Sequence, residues 1–188
     1  MEKSNRGIMF AAAPAAMAAL VLGLIAPGTA LLGTQATTDS VGPHGYVVVT
    51  VTRDGQEIYR HEDHNLITSA GKDFISAQLG STSPGTNGAN YIALSADTGA
   101  PAAGDTTLTG EITTGGLVRT QGTYAHTNGQ STFTVSKTFT ASATHTAVQK
   151  AGLFTAGTGG TMMAENTFSP VSLAANDQLT ITWTITLS

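Results

Sequence analysis

The stretch that decides the fold is the run QLTITWTITL at residues 178–187, in which apolar and polar residues alternate at every position. Successive side chains on a β-strand point to opposite faces, so this pattern predicts a strand with one buried and one polar face. Its predicted core residues are Leu179, Ile181, Trp183 and Ile185, with Leu187 at the end. Its polar row consists of Thr180, Thr182, Thr184 and Thr186. Each buried apolar side chain contributes about 1.5–3 kcal/mol, so this strand is predicted to be a main source of stability.

A second amphipathic unit lies at residues 117–140 and is centred on Asn128-Gly129. This dipeptide favours a type I′ hairpin turn because both residues tolerate positive φ. The resulting apolar pairs are Tyr124 with Phe133, Gly122 with Val135, and Val118 with Phe139. The polar face pairs Thr123 with Thr134, Gln121 with Ser136, and Arg119 with Thr138. The sequence therefore predicts one continuous hairpin that adds Phe133, Val135 and Phe139 to the core.

Further strands are predicted at residues 46–52, 56–63, 91–95, 148–154 and 161–168, separated by turn residues. Asp54-Gly55 predicts a two-residue hairpin that sets Val51 opposite Ile58. One short helix is predicted at about residues 69–79, with Ser69 as its cap and with apolar contacts from Phe74, Ile75 and Leu79.

The composition of the 188-residue chain supports an all-β fold, because it holds 32 Thr and 22 Gly, which favour strands and turns. Seven to nine short strands predict an antiparallel β-sandwich, Ig-like or jelly-roll-like, over residues 46–188. Two long loops, at residues 80–90 and 96–107, interrupt it.

The first 36 residues have the features of an export segment. Lys3 and Arg6 precede an apolar stretch at residues 8–32, and no further charge occurs before Asp39. This pattern predicts a signal peptide cleaved after Ala30 or Ala36, or a hydrophobic helix retained as a membrane anchor. A pilin-type signal and a buried core helix are the remaining interpretations. Residues 37–45 are predicted to be a linker or a strand donated to a neighbouring subunit.

The residues that could support chemistry are few. The chain has no Cys, which excludes disulfides and thiol nucleophiles. His61 and His64 stand three apart on a predicted strand, so they point to opposite faces and cannot bind one metal ion. Asp97 and Asp105 flank a Gly-rich loop, but their spacing matches no calcium cage. We therefore expect no catalytic residue, no metal, no cofactor and no enzymatic activity. Acidic residues outnumber basic ones beyond Thr38, so we expect no nucleic-acid partner.

Several stretches resemble a family of virion proteins. They are NLITSAGKDFI at residues 65–75, YIAL at 91–94, APAAGDTTL at 100–108, AGLF at 151–154 and DQLTITW at 177–183. Together they look like compact β-sandwich tail or appendage proteins of tailed phages and archaeal viruses, over residues 61–187. The resemblance implies a structural role and carries no catalytic residues.

Three functional hypotheses follow from these patterns. The leading one is an exported structural subunit, extracellular or at the cell surface, that assembles with identical copies into a filament, pilus or sheath by strand donation, because few charges protect its strand edges. The alternatives are a virus structural protein, membrane-anchored or in a tail appendage, and a membrane-tethered adhesin that binds through the two long loops. The residues predicted to mediate assembly are Thr34, Thr37, Thr38, Val41, Tyr46, Thr180, Thr182, Thr184 and Thr186.

Overall fold

The structure, a computed structural model, describes residues 42–85 and 87–187, which form nine β-strands and one α-helix. The strands are β1 (His44–Arg53), β2 (Gln56–Ile67), β3 (Tyr91–Ser95), β4 (Thr120–Gln121), β5 (Thr123–His126), β6 (Thr132–Thr140), β7 (His145–Phe154), β8 (Met162–Leu173) and β9 (Gln178–Thr186). The helix is α1 (Ser69–Gly80). The predicted all-β sandwich with one short helix is confirmed. The predicted N-terminal hydrophobic helix lies outside the described residues, as do residues 37–41. No helix within the described ranges is long and apolar enough to cross a membrane.

The strands are all antiparallel and follow the order β4-β3-β7-β8-β2-β1-β9-β6-β5. The first sheet holds β2, β1, β9, β6 and β5, and the second holds β8, β7, β3 and β4. Strand β2 belongs to both, because its length pairs with β1 while Leu66 and Ile67 at its end pair with β8. The two sheets thereby form one nearly closed layer around a common core.

Strand β9 occupies the centre of the first sheet, between β1 and β6. Its predicted core residues Leu179, Ile181, Trp183 and Ile185 are fully buried, as is Val135, and Phe139 is 2% exposed. Phe133 is only partly buried. The prediction fails at Leu187, which lies beyond the strand end and is 40% exposed.

The prediction of one continuous hairpin at residues 117–140 is wrong. Strand β4 pairs with β3 in the second sheet, whereas β5 pairs with β6 in the first, so the chain changes sheets at Gly122. The N–H of Gly122 donates to the Asn90 carbonyl at 2.7 Å. A Cβ on Gly122 would lie only 2.8 Å from the Val135 side chain, so the crossing point requires a residue without a side chain.

The register of β5 against β6 also differs from the prediction. Tyr124 lies opposite Val135, not Phe133, because the connection runs over five residues. Gly129 has a φ of 85° while Asn128 does not adopt positive φ, so the predicted type I′ turn is wrong. A hydrogen bond from Gln130 N–H to the Thr127 carbonyl closes the turn instead, at 3.1 Å.

The β1–β2 hairpin forms at Asp54-Gly55 as predicted, but its register shifts between Val51 and Thr52. Val51 therefore pairs with Tyr59, and Ile58 is the extra residue of a β-bulge and is 49% exposed. The bulge turns the next residues of β2 so that Tyr59 packs against the core.

Helix α1 covers one end of the sandwich and is capped by Thr68, not by the predicted Ser69. The Thr68 hydroxyl accepts from Gly71 N–H at 2.9 Å and donates to the Met162 carbonyl at 2.5 Å. A Cβ on Gly71 would lie 2.1 Å from the Met163 carbonyl oxygen, so this glycine lets the helix approach β8 closely. Phe74 and Ile75 pack on the core as predicted, whereas Leu79 is 75% exposed.

Candidate functional site

An apolar groove of about 540 Å³ lies between α1 and the edge of the first sheet. We call it the edge groove; its main apolar lining consists of Phe74, Ile75, Leu79, Tyr124, Phe133 and Leu187. Three of these residues are unusually exposed for their type: Leu79 at 75%, Tyr124 at 56% and Leu187 at 40%. The rings of Tyr124 and Phe133 lie 5.7 Å apart and form one wall. The groove is therefore a concave apolar surface open to solvent.

Strand β5 forms the rim of the edge groove and is the last strand of the first sheet. Within the described residues it pairs with β6 on one side only. The alternate N–H and C=O groups of such an edge strand face outward, where another strand can bind them. None of its four residues is Lys, Arg, Asp or Glu. An unprotected backbone edge and an apolar groove thus lie side by side.

The β9 threonines predicted for assembly do not lie at that edge. They are Thr180, Thr182, Thr184 and Thr186, and the backbone of β9 is paired on both sides, so these residues offer no free strand edge to a second copy. Thr180 and Thr182 instead exchange hydroxyl hydrogen bonds with Thr138 at 2.8 Å and with Ser136 at 2.9 Å.

The predicted donor segment is shortened by the structure. Tyr46 lies within β1, opposite His64 on one side and Thr184 on the other, and its hydroxyl donates to Glu62 at 2.5 Å. Strand β1 begins at His44, so residues 44–46 are part of the subunit's own sheet and are not free to be donated. Thr34, Thr37, Thr38 and Val41 lie outside the described residues.

His61 and His64 point to opposite sides of β2, as predicted for residues three apart. The His61 ring lies 6.3 Å from that of Phe168, and His64 makes an edge contact with Tyr46 at 5.7 Å. In the parts of the chain that the structure describes, no three His, Asp or Glu side chains are grouped so that they could hold a metal ion.

A second site, which we call the lysine cluster, consists of Lys150, Asp97, Glu165 and Asp105. Lys150 lies on β7, and its side chain is only 4% exposed. Its Nζ lies 2.7 Å from Asp97 Oδ2 and 3.2 Å from Glu165 Oε1. Pairing within the second sheet explains this convergence, because Ser95, two residues before Asp97, lies opposite Lys150, and Glu165 lies on the adjoining strand β8.

The backbone around Asp97 holds its carboxylate in place. The Asp97 N–H donates to Ser95 Oγ at 2.9 Å, and that hydroxyl donates to the Thr109 carbonyl at 2.5 Å. The N–H of Gly99 donates to Asp97 Oδ2 at 3.0 Å. The carboxylate is therefore oriented by the loop that follows β3 and does not depend on Lys150 alone.

The charges of the lysine cluster are strongly coupled. The hydrogen bond from Lys150 lowers the pKa of Asp97, and burial raises the pKa of Glu165. Burial by itself lowers the pKa of Lys150, but hydrogen bonds and charge from Asp97 and Glu165 raise it overall. Glu165 is 1% exposed, and its Oε2 is buried without a hydrogen-bond partner among the described residues. Asp105 raises the pKa of Glu165 further, so Glu165 keeps a proton more readily than Asp97 does.

Arg119 binds two loops of the second sheet, the segment between β3 and β4 through Glu111 and the connection between β7 and β8 through Gly159. Its Nε donates to Glu111 Oε1 at 2.9 Å, its Nη2 donates to Glu111 Oε2, and its Nη1 donates to the Gly159 carbonyl at 2.8 Å. The guanidinium lies 3.6 Å from the centroid of the Phe154 ring, a cation–π contact. Arg119 was predicted to lie on the polar face of a hairpin, opposite Thr138. That prediction is wrong: Arg119 directly precedes β4, which belongs to the second sheet, and its side chain is 8% exposed.

Sequence reasoning missed the lysine cluster, although a signal was present. Lys150 and Glu165 are the single charged residues of two strand segments rich in apolar residues, VQKAGLF at 148–154 and MMAENTF at 162–168. A buried charge in such a strand requires a partner, but its identity depends on which strands are neighbours. Asp97 and Asp105, considered for calcium, instead bind Lys150 and the Ala102 N–H respectively.

Comparison of the chain with family models, with curated proteins and with solved structures finds no match.

Proposed function

We propose that this protein is an exported structural subunit that assembles with identical copies into an extracellular filament, pilus or sheath. The observation that carries the proposal is the edge groove beside the unpaired edge of β5. An added strand would gain backbone hydrogen bonds from β5 and apolar contacts from Tyr124 and Leu79, the combination used in strand addition. A donor strand also removes the exposed apolar surface that the subunit carries by itself.

The donor is residues 34–41 of a second copy. Strand β1 begins at His44 opposite Thr186, next to Leu187 of the edge groove, so the chain that precedes β1 enters at the same end of the sandwich. A strand added beyond β5 would lie four strand spacings from β1, or about 19 Å. An extended chain needs about six residues to cover that distance. The crossing would use residues 38–43, so at most residues 34–37 of the donor could lie along their own β5, whereas a neighbouring subunit's β5 imposes no such limit.

The assembly test uses variants that alter the groove without touching the core. Tyr124→Lys places a charge on the rim of the edge groove, and edge lysines oppose strand pairing. Ile58→Lys is the matched control, because Ile58 is similarly exposed, at 49%, and does not line the groove. Sedimentation velocity over a range of concentrations and electron microscopy measure assembly.

We expect concentration-dependent polymers from the wild-type protein and from Ile58→Lys, and monomers from Tyr124→Lys. A peptide of residues 34–41 should bind the Tyr124→Lys monomer more weakly than wild-type protein dissociated at low concentration. Wild-type protein that stays monomeric at high concentration would contradict assembly, and polymers of Tyr124→Lys would contradict the proposed acceptor.

The export part of the proposal has its own measurement. Cell fractionation followed by N-terminal mass analysis should find the mature chain outside the cytoplasm, either cleaved after Ala30 or retained on the membrane by residues 8–32. Cleavage after Ala36 would remove residues 34–36 and would contradict the proposed donor. Uncleaved protein in the cytoplasmic fraction would contradict export.

A further inference from the structure

We propose that Lys150 and Asp97 become joined by an intramolecular amide bond between Nζ and Cγ, with Glu165 carrying the protons. The three groups meet on the outer face of the second sheet, where Lys150 Nζ lies 2.7 Å from Asp97 Oδ2 and 3.2 Å from Glu165 Oε1. This modification is independent of the assembly proposed above and concerns different residues.

Proximity is the first requirement for this reaction, since a free amine and a free carboxylate do not condense in water at a useful rate. Here Lys150 is held in β7, and Asp97 is oriented by the Ser95 hydroxyl and the Gly99 N–H. Two reactants fixed in contact behave as though each were present at very high concentration, which removes the entropic part of the barrier.

The second requirement is an amine in its neutral form. Lys150 is 4% exposed and Glu165 1%, so the ionised pair has little water to stabilise it. Asp97 and Glu165 raise the pKa of Lys150 overall, so the ammonium is the resting form and the neutral amine is a minor one. The neutral amine arises when the ammonium passes a proton to a carboxylate, which converts two buried charges into two neutral groups. Glu165 is suited to accept a proton from the amine, because its Oε2 has no hydrogen-bond partner among the described residues. A third carboxylate, Asp105, also raises the pKa of Glu165.

The step balances without any co-reactant. The Lys150 ammonium gives one proton to Asp97 Oδ2 along their hydrogen bond, so the acceptor becomes a neutral carboxyl and the freed amine attacks its Cγ. The nitrogen gives a second proton to Glu165 as the new bond forms, and Glu165 passes that proton to the Asp97 hydroxyl, which leaves as water. An ammonium and a carboxylate thus become one amide and one water, nothing is oxidised or reduced, and Glu165 ends in its starting state.

The bond would serve as a covalent staple in a chain that has no cysteine. It would tie the start of the covering loop after β3 to the middle of β7, across 53 positions of sequence. Closing a loop of that length restricts the unfolded chain in the way that a disulfide does. An amide, unlike a disulfide, does not respond to reducing agents.

Peptide mapping of the purified full chain tests the bond directly. Trypsin cleaves after Lys72, Arg119, Lys137 and Lys150, so an unmodified chain yields separate peptides 73–119, 138–150 and 151–188. The linked chain should yield peptide 73–119 joined to an uncleaved 138–188, with a mass one water below the sum of the two. Separate, unmodified peptides from protein incubated to completion would overturn the proposal, and a link from Lys150 to Glu165 would overturn the assignment of Asp97.

Variants then test the role of Glu165. Glu165→Gln keeps the shape of the side chain but cannot carry a proton, and should slow linkage by about 100-fold or more. Lys150→Arg keeps the positive charge and should abolish the linked peptide, whereas the control Lys72→Arg, on the exposed face of α1, should leave linkage unchanged. Linkage in Glu165→Gln at the wild-type rate would overturn the role of Glu165. Wild-type mapping decides the existence of the bond even if a variant fails to fold.

Discussion

Trp183 offers the sharpest test of the core, because it combines complete burial with an unpaired donor. The side chain is 0% exposed at the centre of β9, and its indole Nε1 has no acceptor among the described residues. Trp183→Phe removes apolar burial worth about 1.5 kcal/mol, about two carbon atoms at about 0.8 kcal/mol each. The same change removes a buried donor whose lack of a partner costs about 1–3 kcal/mol. The two effects oppose each other, so we expect the free energy of unfolding to lie between about 0.5 kcal/mol below and about 1.5 kcal/mol above the wild-type value.

Trp183→Ala should behave very differently, with a loss of about 3–5 kcal/mol, because the cavity it leaves is not offset. Ile181→Val is the control for a purely apolar truncation on the same face and strand, with an expected loss of about 0.5–1.5 kcal/mol. The assay is urea unfolding followed by far-ultraviolet circular dichroism, since Trp183 is the single tryptophan and its fluorescence disappears with it. A loss near 3 kcal/mol for Trp183→Phe would refute the reasoning, because it would mean that the indole N–H has a partner.

Two further predictions concern the ion pair of Arg53 with the buried Asp177, and the sheet crossing. Arg53 donates to both oxygens of Asp177, at 2.8 and 2.6 Å, and this lowers the pKa of Asp177 from 3.8 to about 2. Because the folded-state pKa is lowered, the carboxylate stabilises the fold above pH 3.8 and loses that effect as the pH falls through about 2. Urea unfolding should therefore show a flatter acid dependence over this range in Asp177→Asn, and an unchanged slope would contradict the pairing. Gly122→Ala should lower the midpoint temperature of thermal unfolding, because the added Cβ would lie 2.8 Å from the Val135 side chain. The control Gly80→Ala should not lower it, because the space around Gly80 is open. Equal midpoints for the two variants would contradict the close crossing.

The parts of the fold that sequence reasoning predicted are those in which one strand carries its own information. The alternation of residues 178–187 predicts β9 and its buried face, and Asp54-Gly55 predicts the first hairpin. Local patterns suffice there because a side chain's direction along a strand depends only on its position in that strand. The short helix was also predicted from its own segment, by its capping residue and its apolar positions, with an error of one residue at the cap.

Pairing between strands was predicted less well, because register depends on distant residues. The bulge at Ile58 changes the partner of Val51, and the change of sheet at Gly122 divides what reads as one hairpin. Asn128-Gly129 is a strong local turn signal for a two-residue loop. The observed loop between β5 and β6 is longer, because β5 ends at His126 and β6 begins only at Thr132. The β5–β6 pair shows why local patterns fail here: an antiparallel pair can shift by two residues without moving any side chain to the wrong face.

The candidate sites follow the same division. By itself the sequence determined that the chain contains alternating strands, a paucity of charge and an apolar N-terminal stretch, since these are properties of single segments. Only the tertiary structure decided that β9 is internal and β5 is an edge, and that Lys150, Asp97 and Glu165 meet on one face of the second sheet. Residues 53 positions apart come together through the order of the strands, and that order is set by packing of the whole core and not by any one stretch of it.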